Sequence, residues 1–291
     1  MNEIFTLYPA LFLILVGVIG LVIGSFLNVV IHRLPIMMET QWRRECRQFL
    51  ELEAEEPSKP VPRFNLAIPG SHCPECSRPL KLLENIPLVS YVALGGRCAG
   101  CKTRISIRYP LVEILSAVLA VMVAWQFGPT LPMLAALLLT WSLLALSMID
   151  LDCQLLPDAI TLPMLWLGLL ASVLTVFVDS DASILGACFG YGSLWLVYWL
   201  FKALTGKEGM GFGDFKLLAM LGAWLGWASL PMIILLSSLV GAVSGLSMIL
   251  FLNRDHRVPI PFGPYLAAAG WLALMWGDEL NAYYLAVSGL R

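Results

Sequence analysis

Two aspartates 64 residues apart are the strongest candidates for catalysis. Asp150 closes an apolar segment, and Asp214 ends the run Gly211-Phe-Gly213-Asp214 just before another apolar segment. Two carboxylates brought close together share a proton near neutrality, so the ionised one can activate water while the other protonates a carbonyl or leaving group. This is acid–base hydrolysis of the aspartic-protease kind. Gly211 and Gly213 would let an extended substrate backbone approach closely.

Three further acidic residues, Glu113, Asp152 and Asp158, lie in or beside apolar segments. Ionisable groups inside a helical bundle are costly and usually functional. The competing interpretation is that such residues cap helices or pair with Lys or Arg. For Asp158, which directly follows Pro157 at a predicted helix start, we expect a helix cap. Whether Asp152 or Glu113 assists the catalytic pair stays open.

A second chemical pattern consists of Cys73-Pro-Glu-Cys76 and Cys98-Ala-Gly-Cys101. Two Cys-x-x-Cys pairs about 21 residues apart are typical of zinc ribbons, in which four thiolates surround a tetrahedral ion. A site with four protein ligands is closed, so it would brace a domain rather than catalyse. The alternative is a pair of disulfides, which a reducing cytosol disfavours.

The composition indicates where these groups must be placed. Of 291 residues, 59% are hydrophobic and 13% are charged, about half the 25% charged residues of ordinary soluble domains. So few charges could not cover the surface of a soluble globule of this size. A net charge of -2 also excludes a broadly basic nucleic-acid-binding protein. The sequence therefore predicts a polytopic membrane protein.

The predicted fold class is all-α, with about eight transmembrane helices and a small cytoplasmic insertion. A spanning helix needs about 20 mainly apolar residues. The short, partly polar stretch 280–291 is expected outside the bilayer. The segments that qualify are approximately 7–31, 111–127, 131–149, 159–178, 183–201, 215–229, 231–252 and 259–276.

The charged residues concentrate in one segment, residues 32–110. This segment holds twelve of the eighteen Lys and Arg residues, eight glutamates, and no apolar run long enough to span. It predicts a soluble insertion between membrane helices. The expected domains are a first transmembrane helix within 1–31, a four-cysteine zinc domain within 32–110, and a multi-helix membrane domain within 111–291.

The distribution of basic residues predicts the orientation in the membrane. Cytoplasmic loops carry an excess of Lys and Arg. If 32–110 is cytoplasmic, 17 of the 18 basic residues lie on that side, and the N-terminus lies on the other. Asp150 and Asp214 then both lie at the cytoplasmic membrane face. The remaining loops on that side are 150–158, 202–214 and 253–257.

Several motifs together resemble a known family. They run in order from about residue 20 to residue 220, with Pro259-Ile-Pro-Phe-Gly-Pro264 as a further familiar segment. The chain is similar to the bacterial type IV prepilin peptidase/N-methyltransferases, which are GxGD-type aspartic membrane proteases. The motifs are Gly24-Ser-Phe-Leu-Asn28-Val-Val-Ile-His-Arg33-Leu-Pro35, the paired cysteines, Arg108-Tyr-Pro-Leu-Val-Glu113, Asp150 with Pro157-Asp158, and Gly211-Phe-Gly213-Asp214-Phe-Lys216.

The resemblance implies a bifunctional enzyme of the bacterial inner membrane. It would remove the basic leader from type IV prepilins and type II secretion pseudopilins at the cytoplasmic face. It would then methylate the new N-terminal amine with S-adenosylmethionine. The family's catalytic aspartates match Asp150 and Asp214, and its cysteine tetrad matches Cys73, Cys76, Cys98 and Cys101. Zinc, S-adenosylmethionine, pilin substrates and the lipid bilayer are the implied ligands and partners, with no nucleic acid.

The methyl-donor site has no independent sequence signal. No strand followed by GxGxxG and a helix is present to cradle the cofactor. Gly95 and Gly96, between the cysteine pairs, could form a cofactor or substrate loop. A simple turn is the competing interpretation.

Two other function classes stay open at this point. Other GxGD proteases, such as presenilins and signal-peptide peptidases, lack a cytosolic four-cysteine domain and carry a Tyr where Ile149 precedes Asp150. A non-enzymatic transporter or scaffold would place its acidic residues at mid-membrane depth and would turn over no leader peptide. A metalloprotease is disfavoured because the chain has three histidines and no HExxH motif.

Overall fold

A computed structural model describes residues 8–50, 64–81, 84, 86–207, 209–252 and 261–287. The predicted inner loop 253–257 lies outside the described residues. The chain divides into two compact units, Met1–Trp125 and Gln126–Arg291. The described residues contain helices and two isolated β-bridges but no strand, which confirms the predicted all-α class.

Each predicted apolar segment overlaps one of the helices. Within the described residues, five helical stretches are long and apolar enough to cross a membrane, namely α1, α3, α4, α6 and Trp227–Ser247, which includes most of α8. The full count of eight spans therefore stays a prediction, and α5 and α7 are shorter, with 16 and 14 residues. The helices are α1 Pro9–Phe49, α2 Val89–Ala93, α3 Arg108–Phe127, α4 Leu131–Cys153, α5 Asp158–Val173, α6 Ser180–Thr205, α7 Phe212–Leu225, α8 Leu230–Leu252 and α9 Gly263–Val287.

In the first unit, α1 continues well beyond its apolar segment. It has 41 residues, so the predicted domain boundary at residue 32 falls inside a continuous helix. Its polar extension contains the ion pair of Arg43 with Glu39 at 2.6 Å, four residues apart. Pairs at this spacing stabilise a helix surface. Helix α1 therefore continues beyond the last residue of its apolar segment.

Close glycine contacts join α1 to α3. A Cβ atom at Gly20 would lie 2.7 Å from the Ala117 Cα atom, and one at Gly24 would lie 2.7 Å from the Glu113 Cα atom. The Ser116 hydroxyl donates to the Gly20 carbonyl at 2.7 Å. Small residues allow helix backbones to approach in this way within membranes.

In the second unit, α7 is the central helix. From Phe215 to Leu225 every residue except Lys216 is buried, as expected for a helix that is apolar on all sides. Gly186 of α6 packs directly against the Gly222 backbone. The Trp224 indole N–H donates to the Met164 carbonyl of α5 at 2.7 Å. Helix α7 is therefore fixed on two sides.

Helix α9 runs antiparallel to α4. The Trp271 indole N–H donates to the Thr140 hydroxyl at 3.1 Å, and the Gln126 side chain donates to the Met275 carbonyl at 3.2 Å. Helix α9 has non-helical backbone angles at Trp276, where the predicted span ends. These contacts direct the first residue of α9 toward the last turn of α4.

Candidate active site

The structure brings the two predicted aspartates together. Asp150 lies in the last turn of α4 and Asp214 in the first turn of α7. Their exposed fractions are only 5% and 8%. The two carboxyl groups interact electrostatically, and Leu156 packs against both Gly213, which precedes Asp214, and Gly263, which lies against Asp150. Shared acid–base chemistry needs two neighbouring carboxyl groups of this kind, and their catalytic role stays a prediction.

Local backbone signals end one helix and start the other at the required places. The C-cap of helix α4 is Gln154, a left-handed residue with φ of 53° whose N–H donates to the Asp150 carbonyl at 2.9 Å. Pro157 then prevents the helix from continuing. Helix α7 begins after Gly211, which places Asp214 at its third helical position. A carboxylate is favoured there by the helix dipole.

The two glycines of the GxGD loop differ in their surroundings. A Cβ atom at Gly213 would lie 2.9 Å from the Leu156 Cβ atom, whereas one at Gly211 would meet only the Asp214 Oδ2 atom, at 3.9 Å. Gly213 therefore allows the turn that follows α4 to pack against the start of α7. Gly211 lies next to the Asp214 carboxylate. Their predicted role toward a substrate backbone stays a prediction.

Gly263, at the start of α9, is a site residue that sequence reasoning missed. Its N–H donates to the Asp150 Oδ2 atom at 3.0 Å, and the bond is buried. The motif Pro259–Pro264 contributes to the family resemblance, but the sequence does not single out any of its residues. A backbone N–H donor has no side-chain signal, so the glycine between Phe262 and Pro264 is the one feature that could have indicated this contact.

The expected helix cap at Asp158 is wrong. Pro157 occupies the N-cap position of α5, and Asp158 lies in the first turn. Its carboxylate instead accepts bonds from the Lys216 Nζ atom at 2.7 Å. This contact depends on the tertiary structure, because packing of α7 on α5 brings the Asp158 and Lys216 side chains together. Among the described residues, neither Asp150 nor Asp214 forms an ion pair with Lys or Arg, so the ion-pair interpretation does not apply to them.

The other two candidate acidic residues are Asp152 and Glu113. Asp152 is exposed and, two residues after Asp150 on a helix, points away from the face that carries it. Glu113 belongs to the first unit, where its buried carboxylate accepts the Leu88 N–H at 2.8 Å. Glu113 therefore fixes the chain just before α2.

The four predicted metal ligands form one cluster. Their Sγ atoms all lie within 4.8 Å of one another, with Cys73 to Cys101 at 3.7 Å and Cys76 to Cys98 at 4.0 Å. A tetrahedron with zinc–sulfur bonds of about 2.3 Å has sulfur–sulfur edges of roughly 3.8 Å. All four cysteines are free thiols. The cluster therefore fits a tetrahedral metal ion, and it contains no disulfide.

The two cysteine pairs have the same backbone geometry. The Cys73 N–H donates to the Arg78 carbonyl at 3.0 Å, and the Cys98 N–H donates to the Thr103 carbonyl at 2.9 Å. Ser77 and Lys102, one residue after the second cysteine of each pair, both have positive φ. Each pair is thus a self-contained turn that aims two sulfurs at a common point.

Hydrogen bonds around the cluster favour thiolates at two of the cysteines. The hydroxyl and N–H of Thr103 lower the pKa of Cys101 to about 6. The backbone N–H groups of Cys101 and Gly100 lower the pKa of Cys98. For Cys76 the Arg78 N–H acts in the same direction, but burial and the neighbouring thiols outweigh it and raise its pKa to about 11. Metal binding would remove that proton, because thiolates are the ligands.

Gly95 and Gly96 end the short helix α2. Both have positive φ, at 61° and 67°, and the Gly96 N–H donates to the Tyr91 carbonyl at 2.8 Å. Glycine is the usual residue in such a helix-terminating turn. This geometry favours the simple turn, and a cofactor role for the two glycines stays a prediction.

Comparisons with known proteins identify the family. Two family models match: the bacterial peptidase A24 N-terminal domain over residues 18–127 and the type IV leader peptidase family over residues 137–246. The chain is 56% identical over 284 residues to a protein of Pseudomonas aeruginosa named prepilin leader peptidase/N-methyltransferase, covering 98% of this chain and 97% of that protein. This chain belongs to the type IV leader peptidase family.

Other members of this peptidase family give the same result. Proteins with the same name from Aeromonas salmonicida and Dichelobacter nodosus are 56% and 47% identical, over 96% and 92% of this chain and 95% and 93% of their own length. No solved structure matches the chain. The cysteines lie in the first matched region and both aspartates in the second, whereas Gly263 lies beyond both.

Proposed function

We propose that this chain is an aspartic endopeptidase and N-methyltransferase that removes the basic leader of type IV prepilins and type II secretion pseudopilins. The observation that carries the peptidase proposal is the meeting of Asp150 and Asp214 as two buried carboxylates. They come from helices that are distant in sequence, and no cation pairs with either among the described residues. The names of the relatives support the same reaction and supply the methylation step.

The pair performs hydrolysis by exchanging protons with water and substrate. The ionised carboxylate takes a proton from a water molecule as its oxygen attacks the scissile carbonyl carbon. The protonated carboxylate donates its proton to the carbonyl oxygen. Collapse of the tetrahedral intermediate breaks the C–N bond and releases the new amino terminus. The amine nitrogen receives the proton that the first carboxylate took from water, and a hydroxyl of the intermediate returns its proton to the second carboxylate as the new carboxyl group forms.

The proposed location is the bacterial inner membrane, with the aspartates at the cytoplasmic face. The leader's basic residues would then remain in the cytosol, while the apolar segment of the prepilin lies in the bilayer. In this orientation 17 of the 18 basic residues would lie on the cytoplasmic side, in agreement with the excess of Lys and Arg in cytoplasmic loops. A transporter or scaffold would instead need carboxylates at mid-depth, whereas Asp150 and Asp214 lie in terminal helical turns.

The proposed division of labour assigns metal binding and peptide hydrolysis to different parts of the chain. Cys73, Cys76, Cys98 and Cys101 would hold a zinc ion that braces the 32–110 domain, since four protein ligands leave no open position. The 111–291 domain would carry the peptidase site. S-adenosylmethionine would supply the methyl group, and Gly95 and Gly96 are the proposed loop toward it.

The test is to incubate the purified protein with a prepilin and labelled S-adenosylmethionine, following leader loss and label transfer. Asp150→Asn and Asp214→Asn should each abolish cleavage while the protein still inserts into membranes. The matched control is Asp181→Asn, an exposed carboxylate at the start of α6, which should cleave normally. Retained cleavage in the double variant would overturn the assignment, and label transfer without cleavage would require a different order of reactions.

A further inference from the structure

The start of α9 is arranged around the Asp150 carboxylate. Gly263 is the first residue of the helix, and the first N–H groups of a helix have no intrahelical acceptor. The Gly263 N–H is satisfied by the Asp150 Oδ2 atom at 3.0 Å instead. Pro264 has no N–H of its own, so Gly263 is the donor that this turn presents to the carboxylate.

The position of this donor is fixed by the rest of α9. The Trp271 indole bonds to the Thr140 hydroxyl, and the Met275 carbonyl accepts from Gln126. Thr140 and Asp150 both belong to α4, whereas Gln126 belongs to α3. Hydrogen bonds therefore join α9 to α4 at Trp271 and at Gly263, and join Met275 of α9 to Gln126. Asp150 is therefore held by a rigid element rather than by a loose loop.

The site leaves no room for a side chain at residue 263. A Cβ atom there would lie 2.6 Å from the Asp150 Oδ2 atom and 3.2 Å from the Leu156 Cδ2 atom. Real Cβ atoms do not approach an oxygen this closely, so the Asp150 carboxylate would have to rotate or shift. Glycine at this position is therefore coupled to the orientation of Asp150.

We propose that the backbone N–H of Gly263 is a positioning group for peptide hydrolysis. It holds one oxygen of Asp150, which leaves the other oxygen directed toward the water and the scissile bond. The first turn of α9 then borders the active site, together with the last turn of α4 and the first turn of α7. This inference rests on the proposed peptidase function and adds the element that orients one of its two carboxylates.

The effect of losing this group should fall on turnover rather than on substrate affinity. Gly263 contacts Asp150, and nothing in its position requires contact with the prepilin. A displacement of about 1 Å in a reacting group costs roughly 100-fold in rate. Gly263→Ala should therefore lower kcat about 100-fold and leave KM unchanged.

The experiment measures initial cleavage rates against prepilin concentration for Gly263→Ala, with Gly192→Ala as the matched control. A Cβ atom at Gly192 meets nothing within 4 Å, so that variant should keep both kcat and KM. A second variant replaces Gly263 by glycolate, which exchanges the N–H for an ester oxygen and adds no Cβ. It removes the bond to Asp150 and weakens the Phe262 carbonyl as an acceptor, without adding a side chain, and should lower kcat roughly 10-fold or more.

The outcomes separate this inference from the proposed function. Full kcat in the glycolate variant, or a raised KM with unchanged kcat in Gly263→Ala, overturns the positioning role. Cleavage by Asp150→Asn at the wild-type rate overturns the peptidase assignment itself.

Discussion

The cysteine cluster and the aspartate pair are assembled in opposite ways. All four cysteines lie within 29 residues, and each pair is shaped by its own backbone hydrogen bonds. The aspartates lie 64 residues apart and meet only because α4, α7 and α9 pack together. The cysteine cluster therefore forms from neighbouring residues of the chain, whereas the aspartate site forms only when distant helices of the second unit pack together. Substitutions in the two regions should have different consequences.

The largest expected effect is catalytic and confined to the aspartate site. Asp214→Asn should reduce prepilin cleavage at least about 1000-fold, equivalent to about 4 kcal/mol in the activation free energy. Its thermal unfolding and its metal content should be those of the wild type, since the exchange keeps the shape of the side chain. Cleavage assays, calorimetry and metal analysis on one preparation would check this. A loss of metal content would show that the two regions are not independent.

The next effect should be structural and confined to the cysteine cluster. Structural zinc contributes about 10–16 kcal/mol through four ligands, so losing one ligand in Cys98→Ser should cost on the order of 3 kcal/mol of local stability. Limited proteolysis should then cut within 64–107, while the α4–α9 unit stays resistant. Cys188→Ser is the control, because Cys188 is exposed and outside the cluster. Equal proteolysis of both variants would argue against a structural metal site.

A smaller effect is expected from the helix contact that positions Asp214. Gly186→Ala would force a methyl group into the Gly222 backbone, so the free energy of unfolding should fall by about 1–3 kcal/mol. Gly192→Ala on the same helix has open space and should be neutral or stabilising by up to about 1 kcal/mol. Thermal unfolding of both variants measures the difference. A similar loss at both positions would show that helix propensity, not close packing, is being measured.

The smallest effect concerns the ion pair between Lys216 and Asp158. The Lys216 side chain is 31% exposed and the Asp158 side chain is 52% exposed. Exposed ion pairs contribute at most about 1 kcal/mol to stability. Asp158→Asn should therefore change the free energy of unfolding by about 0.5 kcal/mol, and less at high salt. Unfolding at two salt concentrations tests this. A loss of several kcal/mol would mean that the carboxylate has another role.

Much of the molecule follows from local sequence patterns. Apolar runs predicted all the long helices, since about 20 apolar residues form one hydrogen-bonded span. The polar end of α1 has no hydrophobic signal, because side-chain pairs such as Glu39 with Arg43 stabilise it. Asp158, directly after Pro157, is predicted from its position to cap a helix. Its actual partner, Lys216, is 58 residues away and cannot be inferred from neighbouring residues.

The amino-acid sequence alone indicates the membrane class, the cysteine tetrad and the two candidate aspartates. Each of these depends on composition, on close spacing or on a motif within one segment. The meeting of Asp150 with Asp214 and the bond from Gly263 to Asp150 become visible only in the folded chain, as does the place of Glu113 in the first unit. These relations depend on which helix faces pack together and how closely their backbones approach. A backbone N–H is common to every residue except proline, so its role becomes visible only when the packed helices place it beside its acceptor.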